Sequence, residues 1–246
     1  MERLPKLLLA TLLAAALPLA ATADGPATTL IAPGLHHDAE VNVERLGGWL
    51  ALHPAGDRGR ARLEAVTLAV ETVVDELVDG PGEATGQWIS VADATTATPE
   101  PLLLLDADLG LHPGWAPQAE PAAAGLALDV PIRLTLWETP YDLALLGFGD
   151  QGLLFLRYRD RVQQLAAFPL REEWPDGIVT IGSDAQPALL WAGDLDGDQR
   201  LDLVLELSDH HNLSRTVLLL STAAASGELV GRVAEQVTSG LSSGGC

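Results

Sequence analysis

A mainly β fold, made of antiparallel sheets in a sandwich or barrel-like arrangement, is what the sequence predicts, and three observations carry it. First, the second half is a succession of short, apolar, β-leaning segments at 126–137, 142–148, 152–158, 162–168, 188–193, 201–207, 215–221 and 228–237. Second, turn signals separate them: Glu138-Thr139-Pro140, Gly149-Asp150-Gln151-Gly152, Tyr158-Arg159-Asp160 and Ser226-Gly227. Hairpins at this spacing belong to antiparallel all-β folds. Third, Leu201, Leu203, Leu205 and Leu207 alternate with other residues, and successive side chains of a strand face opposite sides of its sheet. No repeat of fixed period runs through the chain, which disfavours a full β-propeller with its several similar blades.

From the start, residues 1–23 read as a signal peptide. Arg3 and Lys6 precede an apolar run, Leu7 to Leu17, that is too short to span a bilayer, and Ala21-Thr22-Ala23 is a cleavage pattern. A soluble product, periplasmic or extracellular and cleaved after Ala23, is therefore expected; no later segment has the length and apolarity of a membrane span. Residues 24–120 are expected to be an N-terminal β region. It opens with a Thr/Ala/Pro/Gly-rich stretch ending at His36-His37-Asp38, followed by two short strands around Gly47-Gly48 within 41–54. Segment 61–78 fits either a helical face or strand alternation; its Val and Thr content selects strand. A turn at 79–86 and a strand at 87–91 follow. The Pro/Ala stretch at 116–124 is the best candidate boundary between two subdomains, and 121–238 is expected to be the C-terminal β domain. The small, Gly/Ser-rich residues 239–246 read as a flexible tail.

The net charge is −20, and Lys6 is the only lysine. A surface of that sign repels nucleic acid and anionic lipid, since no basic patch is present to release counterions. It favours cations. Cys246, the one cysteine, allows no internal disulfide, so stability must come from the core or from bound metal. In an oxidising compartment its thiol is expected to link two copies as a dimer.

Asp194, Asp196, Asp198 and Asp202 crowd the loop Gly193-Asp194-Leu195-Asp196-Gly197-Asp198-Gln199-Arg200 and the start of the strand beyond it. Clustered carboxylates repel one another unless a cation neutralises them. Calcium takes roughly six to eight oxygens, and alternate carboxylates on a tight loop can converge on it, with the Arg200 backbone carbonyl as a further donor. Gly193 and Gly197 would let the backbone turn sharply. An EF-hand is excluded: its sixth position requires Gly and its twelfth Glu, where this chain has Gln199 and Leu205. The stretch Gly193–Leu205 instead resembles the calcium loop of the FG-GAP or VCBS repeat, an integrin-α-type module found in many exported proteins. That resemblance implies Asp194, Asp196, Asp198 and Asp202 as metal ligands, with Arg200 acting through its carbonyl. It covers this loop and little else, and the family commonly has Gly where Gln199 stands.

Other constellations are read as structural. His36-His37 and His210-His211 lack the ligand spacing of a transition-metal site. Asp106 and Asp108 could be a carboxylate pair, but they also suit the end of a strand. The six Trp are read mainly as core, with a carbohydrate platform as the rival. The expected function is an exported, calcium-stabilised, non-catalytic binding or structural module with a protein or glycan partner. The alternative is a secreted or periplasmic hydrolase with a structural calcium site.

Overall fold

The strands are β1 (Leu30–Ile31), β2 (Gly34–His36), β3 (Trp49–His53), β4 (Arg60–Val66), β5 (Leu68–Val73), β6 (Gly86–Val91), β7 (Leu103–Asp106), β8 (Gly114–Pro117) and β9 (Ala124–Gly125). The second half adds β10 (Ile132–Leu136), β11 (Thr139–Phe148), β12 (Gln151–Tyr158), β13 (Arg161–Glu173), β14 (Ile178–Ile181), β15 (Ala188–Gly193), β16 (Asp202–Glu206), β17 (Leu213–Leu220) and β18 (Gly231–Ser239). This computed structural model describes residues 29–37, 40–54, 59–94, 99–173, 178–182 and 185–239. The expected signal peptide, Trp174 and Cys246 with the end of the tail lie outside the described residues.

The fold is all-β, and its named strands pair antiparallel in four sheets. The order is β2-β6-β5 in one, β1-β7-β3-β4-β8 in the next, β18-β17-β16-β15-β9 in the third and β10-β11-β12-β13-β14 in the fourth. Three apolar cores lie between these sheets, one for each adjacent pair. Leu68 and Ile89 of the first sheet meet Trp49, Ala51 and Leu104 of the second. The other face of the second sheet supplies Leu50, Leu52, Leu63 and Leu105, which meet Trp191, Val204, Leu218 and Leu220 of the third. The third sheet's far face sends Leu203, Leu205 and Val217 against Leu134, Leu143, Leu154 and Phe168 of the fourth. Residues from both sides of position 120 thus share the middle core.

Strand β16 explains the leucine alternation. Leu201, Leu203, Leu205 and Leu207 enter one core, as expected. The opposite face is buried too, with Val204 in the middle core and Asp202 fully buried beside it. Each such aliphatic side chain contributes roughly 1.5–3 kcal/mol when removed from water, so β16 is held from both sides.

The strand expected over 61–78 holds as far as Val73 and is divided, and residues 76–78 form a turn. Thr67 separates β4, in the second sheet, from β5, in the first. The strand pattern ends at Val73 because side chains capture the backbone: Asp75 Oδ1 accepts from Leu77 N (3.0 Å) and Asp79 Oδ2 accepts from Asp75 N (2.6 Å). The expected pair of strands around Gly47-Gly48 is corrected to one, β3. The residues before it bond to other segments instead of a hairpin partner; Leu46 O accepts from Leu68 N (2.8 Å) and Gly48 O from Ala107 N (2.9 Å). In the fourth sheet two-residue turns join the long strands, with Trp137 and Glu138 both at positive φ (50° and 64°).

Candidate metal centre

Loop 194–201 connects β15 to β16, and its two leucines anchor it in different cores: Leu195 in the middle one and Leu201 in the core against the fourth sheet. The turns between these anchors need two special backbone positions. Gly197 and Gln199 both have positive φ, 83° and 65°. Gln199 is therefore a side-chain-bearing residue in a conformation that favours glycine. Gly193 serves a different purpose from the one expected, because the constraint on it is space. A Cβ there would lie 2.3 Å from the Pro117 carbonyl oxygen and 2.5 Å from the Trp191 ring.

Carboxylates organise the loop from within. Asp194 Oδ1 accepts from Gly197 N (2.8 Å) and its Oδ2 from Gln199 N (3.0 Å). Asp202 Oδ2 accepts from Leu195 N (2.7 Å), while its Oδ1 accepts from Ser221 N (2.7 Å). Asp196 Oδ1 accepts from Asp198 N (3.2 Å), and Asp198 Oδ1 from Arg200 N (2.8 Å). The short turn Ser221–Ala223 after β17 closes over the loop. There Ser221 Oγ donates to Asp198 Oδ2 (2.7 Å) and Thr222 Oγ1 to Asp196 Oδ2 (2.6 Å). From the fourth sheet Tyr141, stacked on Tyr158 at 4.8 Å, is hydrogen-bonded to the Leu201 backbone. Ser221, Thr222 and Tyr141 are distant in sequence, and no spacing pattern connects them to the aspartates.

Three of the expected ligands converge. Asp194, Asp196 and Asp202 each offer a carboxylate oxygen, and these oxygens lie within 4.8 Å of one another. Among the described residues this is the group that could hold a metal ion. Asp198 stands beside it, held by Ser221 and 3.7 Å from the Arg200 guanidinium. The Arg200 side chain also reaches the Leu229 carbonyl (3.5 Å). Burial dominates the electrostatics. It pushes the Asp202 carboxyl up to about 7, with the charges of Asp196 and Asp198 adding to the rise and the backbone donors opposing it. Asp194 is raised by the same desolvation. Buried carboxylates facing one another, with oxygen donors only, fit a hard cation.

The chain was compared with protein-family models, with curated proteins and with solved structures. None of them matches.

The other candidate residues have structural partners. Arg45 bridges Asp106 and Asp108, and Asp106 also accepts from Asp108 N (2.8 Å). His36 is buried, with Nε2 on the Ala32 carbonyl (2.8 Å), while His37 turns away to pair with the buried Asp75. His210 and His211, which lack ligand spacing, lie at a turn with their rings stacked 4.6 Å apart. Trp49 and Trp191 are core residues, as read, but Trp88, Trp115 and Trp137 are exposed.

Proposed function

We propose that the chain is a calcium-stabilised, non-catalytic binding or structural module that works after export, with a protein or glycan as partner. The observation that carries the metal half of this reading is the convergence of Asp194, Asp196 and Asp202, two of them buried, on one point. Calcium suits the site better than magnesium. It accepts a larger and less regular oxygen shell, whereas magnesium demands octahedral geometry and keeps its waters. Asp198 and the Arg200 carbonyl would complete the shell, as the resemblance to the FG-GAP loop implies.

The ion's role would be to hold shape. Each carboxylate of the loop already accepts from a backbone N–H or a hydroxyl. An ion enclosed by them leaves little of the open coordination that catalytic metals keep. Cys246 would join two such modules, and a Cys246→Ser variant with the same non-reducing gel pattern as the wild type would remove that part of the reading. The metal reading is tested by calorimetric titration of calcium, then by melting the protein with and without chelator. Calcium at a hundredfold excess over its Kd should add about 2.7 kcal/mol, and Asp194→Ala should remove most of the response. A wild type that takes up no calcium at millimolar concentration and melts identically in chelator would refute it.

A further inference from the structure

The end of the last strand is gripped by residues flanking β2. Gln236 of β18 is buried, and its Oε1 accepts from Ala32 N (2.8 Å). Beyond it Val237, Thr238 and Ser239 pair with Arg215, Ser214 and Leu213 of β17. Val237 and Leu213 are exposed, so little apolar burial secures this end of the hairpin. A stretch with few buried contacts opens locally at low cost. Glu40 supplies the hold instead: its Oε1 accepts from both Ser239 N and Ser239 Oγ, each at 2.5 Å.

Glu40 is tied in turn to His37. Its Oε2 accepts from His37 N (3.0 Å). The His37 ring reaches the other way, with Nδ1 on Asp75 Oδ2. Asp75 is fully buried in the turn after β5, against Gly86, where a Cβ would lie 3.2 Å from that of Asp75. Its other oxygen accepts from Leu77 N (3.0 Å), and Asp79 stands behind it on the Asp75 N–H. His37 thus lies between two carboxylates carried by different elements. Asp75, Glu40 and the Ser239 backbone all favour the charged ring, and together they outweigh its partial desolvation. His36, the other imidazole acting here, is held below its ordinary value by burial and is neutral at pH 7. Glu235, also on β18, is engaged by Arg215 and Arg232.

We propose that His37, Asp75 and Glu40 form a proton-operated clasp, closed on the end of β18 while the imidazole is charged and open once it is neutral. Loss of the proton leaves two carboxylates with no cation between them, and like charges repel. Asp75 is fixed by burial, so Glu40 is the one that turns out to water, and Ser239 loses both of its bonds. The closed clasp holds the His37 proton more tightly than the open one. It is therefore favoured at lower pH and lost as pH rises through the raised His37 value. The clasp is separate from the aspartate loop and does not depend on the metal reading.

The test follows the full chain by nuclear magnetic resonance from pH 5 to pH 9. The His37 ring should titrate with a midpoint above 6.5, and the amides of Val237, Thr238 and Ser239 should shift with that same midpoint. Across this step the Ser239 amide should lose its hydrogen-exchange protection, while that of Leu218, fully buried in β17, keeps its own. His37→Gln retains a donor for Asp75 but cannot titrate, and should abolish the step. Glu40→Gln removes one of the two charges and should lower the midpoints of the ring and of the β18 amides together. Asp202→Asn should leave both in place. The proposal is overturned if the β18 amides do not follow the ring, if their step survives His37→Gln, or if Asp202→Asn removes it. Should His37→Gln fail to fold, Glu40→Gln decides, and midpoints that stay put or part from one another there overturn the clasp.

Discussion

Asp202 gives the protein an unusual pH response, and its replacement by Asn isolates it. In the folded chain burial raises this carboxyl from 3.8 to about 7. Between those values the native state holds a proton that the unfolded chain has released, so stability falls as pH rises. This is opposite to a carboxylate depressed by an ion pair, such as Asp142 between Arg133 and Arg157, whose stabilisation is present above its unfolded value. From pH 5 to pH 8 the Asp202 contribution should change by about 2.5 kcal/mol, at 1.36 kcal/mol per pH unit. His37, raised by Asp75, adds a loss of the same sign near neutrality, while His36 and His53, lowered by burial, oppose it. The decisive quantity is therefore the difference between the wild type and Asp202→Asn. Urea unfolding in chelator at pH 5, 6, 7 and 8 supplies it. The wild type should lose stability relative to the variant across this window. With calcium bound, the wild-type decline should flatten, because the ion takes the proton's place. A difference between the two proteins that is constant with pH in chelator, or that grows in the wild type's favour, would show that Asp202 is ionised throughout and refute the reasoning.

Gln199→Gly should relieve the left-handed backbone at position 199 and stabilise the protein by a few tenths to about 1 kcal/mol; thermal melts in calcium check it, and a lower Tm would count against the strain. Gly193→Ala should cost about 3 kcal/mol, because its methyl must displace the Pro117 carbonyl or the Trp191 ring; an unchanged urea midpoint would contradict that close approach. Leu203→Ala, at a fully buried position between the third and fourth sheets, should cost roughly 2–5 kcal/mol in the same assay.

The hairpins of the second half were legible because their turn residues and alternating apolar residues are local signals. The same alternation did not reveal that β16 is covered on both sides. A strand with one wet face and a strand between two cores can differ by a single residue, and here only Val204 marks the difference. Strands β1, β2, β8 and β9 escaped because two to four residues carry too little period to read. At the metal centre the aspartates announced themselves through spacing. Ser221, Thr222 and Tyr141 did not, because the sheet topology brings them there from distant segments.

The two leucine anchors of the aspartate loop give it a mechanical role. Leu195 is seated in one core and Leu201 in the next, on opposite sides of the third sheet. A cation gripping the backbone between them would act as a rivet through that sheet. Stripping the ion would loosen two layers at once, so the amides of β3 and β11, in the sheets on either side of it, should lose their hydrogen-exchange protection together.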